Sequence, residues 1–188
     1  AKYGDNITPI LDTVKVEFVS SLPTDTLFPY SSDTFEPIVG HKGYIIDAES
    51  GFEEMVSTYM SQKLPNRSEE SSFRVLVALN SIRITESSHE LTNGGSGLTT
   101  EAESFVYVEI YNGIRNIFSE LLISKASVTN DSDSFEESHL ASIESVHESA
   151  LMKIFGIFKT CDTMECVLNK KKRNTVDGVE GVNGINVS

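Results

Sequence analysis

The chain has 188 residues, 39% hydrophobic and 23% charged: enough apolar material for one packed domain without staples, and too little charge bias for a disordered chain. Its 28 acids against 15 bases leave a net charge of −13, which repels phosphate backbones and excludes nucleic acid as a main partner. No apolar run approaches the ~20 residues that a membrane helix needs. The chain starts at Ala1-Lys2-Tyr3 without a Met, as a mature or trimmed form would, so membrane attachment is expected only through an N-terminal anchor absent from this sequence.

Residues 1–12 lack periodicity and read as an N-terminal extension. Val14, Val16 and Phe18 then alternate with Lys15 and Glu17, the pattern of a strand with one face in the core, and Pro23 closes it. The stretch 23–43 is rich in Ser, Thr, Asp, Pro and Gly and reads as a long loop pinned by Leu27, Phe28, Tyr30 and Phe35, with Tyr44-Ile45-Ile46 as a short strand after it. At Ser50 the period changes. Ser50 and Glu53 form a capping box, Phe52, Met55, Val56, Tyr59, Met60 and Leu64 recur along one helical stripe, and Pro65-Asn66 stops the run.

The next strand is expected over 73–85. Its apolar residues occupy odd positions (Phe73, Val75, Val77, Leu79) and then even ones (Ile82, Ile84), a phase slip at Asn80-Ser81 that predicts a β-bulge. Residues 87–101, with Asn93-Gly94-Gly95-Ser96-Gly97, read as a flexible connection; they lack the Lys-Ser/Thr of a phosphate loop.

The strongest local signal lies within 104–126, where two β-branched and aromatic runs flank Asn112-Gly113. A two-residue turn there would place Val108 opposite Ile117 and Tyr107 opposite Phe118. Val106, Val108, Ile110 and Ile117 would then share one face, and Phe105, Tyr107, Tyr111 and Phe118 the other, giving a sheet with two apolar faces.

Residues 130–134 read as a turn that caps a final helix, whose buried side is marked by Leu140, Ile143, Val146, Leu151, Ile154, Ile157, Phe158 and Cys161. The basic run Lys170-Lys171-Lys172-Arg173 suits a helix C-terminus. The tail repeats Val-polar-Gly with period three, which matches neither helix nor strand. The expected organisation is an extension (1–12), one domain (13–168) and a basic, then Gly/Val/Asn-rich tail (169–188).

Motifs for chemistry are sparse, and none calls for a cofactor or a metal. His139 and His147 are two turns apart, too distant to share an ion, and Glu144-Ser145-Val146-His147 reads as a surface i,i+3 pair. Asp131 and Asp133 lack the Gly and bidentate Glu of a calcium loop, so capping is the better account. His41 is on a loop that could approach a ligand. No nucleophile elbow occurs. Cys161 and Cys166 are too few for a disulfide scaffold and wrongly spaced for a zinc motif; they could close a small disulfide loop in an oxidising compartment or remain two thiols. Asn6, Asn66, Asn130 and Asn186 stand in glycosylation sequons at near-chance frequency.

These pieces give strand, helix, strand, strand, strand, helix: an α+β two-layer sandwich, a mixed and mostly antiparallel sheet of four or five strands with two helices on one face. With its helix at 50–64, its hairpin around Asn112-Gly113 and its closing helix through Leu151 and Phe158, the chain resembles small bacterial envelope lipoproteins: the auxiliary lipoproteins of ABC transporters, the lipopolysaccharide-assembly lipoprotein and YajG-like proteins. The resemblance is one of topology over about residues 14–161. It implies a non-catalytic periplasmic or outer-membrane-anchored protein that binds other envelope components. The expected partner is a protein, met by the second apolar face at Phe105, Tyr107, Tyr111 and Phe118, by a sheet edge or by the long 23–43 loop, and homo-oligomers are compatible with it. Two other readings stand beside it: a carrier or enzyme with a pocket between the sheet and the 23–43 loop containing His41, and a secreted glycoprotein.

Overall fold

A computed structural model describes residues 7–21, 30–31, 48–90, 92, 94, 96–130 and 135–170. In chain order these form β1 (Val14–Ser20), β2 (Tyr30–Ser31), α1 (Ala48–Lys63), β3 (Phe73–Glu90), β4 (Ser96–Asn112), β5 (Arg115–Asn130), α2 (Phe135–Phe158) and a short helix α3 (164–170). The fold is the expected α+β two-layer arrangement. The sheet order is β1-β3-β4-β5; β1 runs parallel to β3 and is joined to it through α1, and β3, β4 and β5 form an antiparallel meander. The two residues of β2 lie in the stretch read as loop and pair parallel with Thr85 and Glu86, further along the edge of β3 that β1 occupies.

Alternation decides which side chains go under the helices. Val14 on β1, Val75, Val77 and Leu79 on β3, Val106, Val108 and Ile110 on β4, and Phe118 and Leu122 on β5 are all buried against α1 and α2. The phase slip at Asn80-Ser81 is a bulge: the β3–β4 register shifts between Leu79 and Ser81, which lets Ile82 and Ile84 continue on the core face. The α1 stripe packs as its spacing predicts, with Phe52, Val56, Tyr59, Met60 and Leu64 buried. Phe52 meets Phe18 edge-on at 5.8 Å, and Tyr59 meets Phe155 of α2 at 4.1 Å.

Five expectations need correction. Helix α1 begins at Ala48, so Ser50 sits within the helix and is not its cap. The polar stretch 87–101 is no flexible connection: Ser87 pairs with Thr99 and Glu90 with Ser96, so β3 and β4 extend as one long hairpin. Backbone ladder bonds carry it there without apolar alternation. On α2, Leu140 is 47% exposed and the buried side instead includes His139 and His147. Glu144 is exposed while His147 is 4% exposed and stacks on Phe52 at 4.9 Å, so His147 is a core residue and not a surface one.

The fifth concerns the central hairpin. Asn112 pairs with Arg115, so the turn residues are Gly113 and Ile114, one position later than the Asn-Gly signal suggests. Gly113 has φ +64°, a conformation L side chains rarely adopt, and its N–H donates to Ser72 O at 2.8 Å, tying the turn to the start of β3. Moving the turn by one position keeps every side chain on its face. A bulge then does not: Tyr111 pairs with Asn116 but Ile110 pairs with Phe118, leaving Ile117 as the extra residue. The Asn116 carboxamide accepts from Phe118 N–H at 3.1 Å and donates to Glu109 at 2.8 Å, which fixes the bulge. Beyond it Val108 lies opposite Glu120 and Tyr107 opposite Leu121.

The helical layer is closed at its far end by the disulfide Cys161–Cys166, with Cα atoms 5.4 Å apart. Lys63 is 1% exposed and donates to Thr8 O at 2.5 Å and Cys161 O at 2.7 Å, joining the N-terminal stretch, α1 and the disulfide loop. Asp12 accepts from Met164 N–H at 2.8 Å at the start of α3, and Lys170 donates to Gly156 O at 2.9 Å in the last turn of α2.

Candidate functional site

The described helices lie on one side of the sheet, so the other side holds the candidate surface. Alternation and register place its residues in rows that cross the strands. Val19 of β1 neighbours Ala78 of β3, which neighbours Tyr107 of β4, which neighbours Leu121 of β5. In the next row Phe105 neighbours Ile123. Val19, Tyr107, Leu121 and Ile123 are 36–45% exposed, and Phe105 and Ala78 are half-buried among them. The result is an apolar band two rows deep that spans about 14 Å from β1 to β5.

Charged rows border the band on both sides. On one, Lys15 meets Glu17 at 3.0 Å and Glu69 at 3.2 Å, Arg74 meets Glu17 at 3.5 Å, and the Arg74 guanidinium lies over the Tyr111 ring at 4.4 Å. The Tyr111 hydroxyl donates to Glu109 at 2.6 Å, and this bond pushes its pKa up, because the carboxylate holds the phenolic proton. On the other side, Glu103 accepts from Arg83 at 2.8 Å and pairs with Lys125 at 3.3 Å. An apolar centre with a charged rim is the anatomy of a protein–protein contact surface.

Of the four aromatic residues assigned to this face by sequence, Phe105, Tyr107 and Tyr111 are on it. Phe118 is not. The bulge at Ile117 turns it to the core face, where it is 6% exposed. Leu121 and Ile123, which sequence reasoning missed, take its place; their signal was the Asn116 side chain, whose local bond to the Phe118 N–H creates the bulge.

A buried polar pair lies in a different place. His139 of α2 contacts Glu86 of β3 with the two side chains 0% and 5% exposed, a pair that ties the start of α2 to the sheet and offers no open site. Among the described residues no cluster of three or more His, Cys, Asp or Glu could hold a metal, and no helix is long and apolar enough to cross a membrane. His41, Asp131, Asp133, Tyr44 to Ile46, Asn6 and Asn186 lie outside the described residues. Asn66 uses its side-chain nitrogen internally, donating to Leu11 O at 2.8 Å.

No family model matches the sequence, and no curated protein matches it. Solved structures do. A putative neuraminyllactose-binding hemagglutinin homolog from Helicobacter pylori superposes with a TM-score of 0.52 at 10% identity, over 91% of this chain and 95% of that one. A Xanthomonas campestris protein of the DUF330 family gives 0.44 at 12% identity, over 80% and 83%, and rare lipoprotein B from Shewanella oneidensis 0.36 at 11% identity, over 88% and 98%. At such identities a likeness speaks for the fold alone, and the first of these shows that the chain shares its fold with a bacterial protein.

Proposed function

We propose that the chain is a non-catalytic binding or assembly protein of the bacterial cell envelope, which holds a protein partner against the sheet face opposite its described helices. The observation that carries this reading is the apolar band of Val19, Ala78, Phe105, Tyr107, Leu121 and Ile123 between two rows of ion pairs. Exposed apolar area of this kind, bordered by charge, is costly for a protein that meets only water. The Cys161–Cys166 bridge supports an oxidising compartment such as the periplasm. The Helicobacter pylori protein that shares this fold is a putative hemagglutinin homolog, which is in keeping with a binding role in a bacterium.

Two measurements test the proposal. Osmotic shock of the native cells is expected to release the protein, or leave it with the membrane fraction, with its two cysteines oxidised. Purification from detergent-solubilised envelopes is expected to retain a partner at fixed stoichiometry, which Val19→Arg with Tyr107→Arg removes while the fold persists. A cytoplasmic protein with reduced thiols, or a partner indifferent to the two arginines, would overturn it.

A further inference from the structure

The edge of the sheet at β5 carries a second feature. Strand β5 pairs only with β4 among the described strands, so its opposite edge presents backbone groups that no described strand takes up. A groove of about 480 Å³ lies along that edge. It is lined by Glu120 and Leu122 from the core side of β5 and by Leu121 and Ile123 from the outer side. A groove that touches both faces of one strand runs beside that strand's backbone. Its far wall comes from α2 and α3, through Lys153, Ile157, Val167 and Lys170.

The charges of the groove run against those of the molecule. In a chain with net charge −13, this groove holds two ammonium groups and one carboxylate. Lys153 donates to the Ile123 carbonyl, the position where the N–H of an added strand would arrive. An incoming strand with a carboxylate beside that N–H could replace both halves of this contact: its amide takes the carbonyl and its carboxylate takes the released ammonium.

We propose that β5 accepts an extended peptide segment of another protein, one that alternates apolar and acidic side chains and adds as a further strand along 118–125, with Lys153 as the residue that selects its charge. The inference deepens the binding role proposed above and rests on it, but it names an adjoining surface, the β5 edge, which shares Leu121 and Ile123 with the band.

The test uses the full chain and a ten-residue peptide alternating Val and Glu, followed by amide chemical shifts and hydrogen exchange. Saturable binding is expected, with β5 amides protected about tenfold or more and the affinity of Lys153→Gln reduced about tenfold, the scale of one lost charge-assisted contact. Glutamine keeps an N–H donor and most of the side-chain length while removing the charge, so that loss would report charge and not damage to the groove. A peptide N-methylated at alternate residues, which cannot pair, is expected to lose binding without any change to the protein. Absence of saturable shifts at β5, equal binding of a Val-Lys peptide, or self-association of the chain through this edge would overturn the proposal. Each of these results leaves the envelope purification with Val19→Arg and Tyr107→Arg untouched, and failure of that purification leaves the edge results standing.

Discussion

Tyr59 shows how one buried group sets a pH limit on this fold. It is 2% exposed, and its hydroxyl has no hydrogen-bond partner among the described residues. Burial pushes its pKa well above the ordinary 10.0, since the phenolate would lose its water. A raised folded-state pKa means stability that is complete below pH 10 and falls as pH rises above it, because the unfolded chain releases this proton first. Tyr59→Phe is therefore expected to flatten that alkaline decline and to stabilise the protein by about 1 kcal/mol at pH 7, removing an unsatisfied hydroxyl. Urea titrations at pH 7 and at about pH 11 check both, with the lever set by the tyrosine reference value. Lys63 argues the other way. Burial lowers its pKa, yet its ammonium is the donor to two carbonyls, Thr8 O and Cys161 O. Lys63→Met leaves those acceptors unpaired and is expected to cost about 1–3 kcal/mol in the same titration.

At the scale of elements, the bulge at Ile117 separates what the sequence makes legible from what it hides. Alternation locates β1 and the near halves of β3 and β4, the slip at Asn80-Ser81 locates the first bulge, and the 3.6 period locates α1, because each follows from side chains repeating along one segment. The register between β4 and β5 depends instead on one side-chain contact, Asn116 to the Phe118 N–H, and no periodicity records it. In consequence Phe118→Ala is expected to cost about 3–5 kcal/mol as a core deletion, and Tyr107→Ala about 1 kcal/mol or less as a surface one. Comparable costs for the two would mean that the bulge is misplaced. The helical layer has its own test in the disulfide. Closing the short loop between Cys161 and Cys166 is expected to contribute about 2 kcal/mol, read as the stability lost when both are replaced by alanine. The histidines of α2 escaped the sequence reading for a related reason. His139 and His147 lie on the buried side of the helix because Glu86 and Phe52 receive them, and those partners are distant in sequence.

For the whole molecule, the described helices leave one sheet face to itself, and that face is apolar across four strands. The cost of that exposure is what a partner would relieve, so the account stands or falls on whether the band is covered in the cell. The most direct measurement is photocrosslinking in the native cells from a benzophenone side chain placed at Tyr107, with a second one at Met152 of α2, which is 60% exposed on the opposite layer, as the control. The account predicts a discrete adduct with an envelope protein from position 107 and none from position 152. No adduct at 107, or the same set of adducts from both positions, would contradict it.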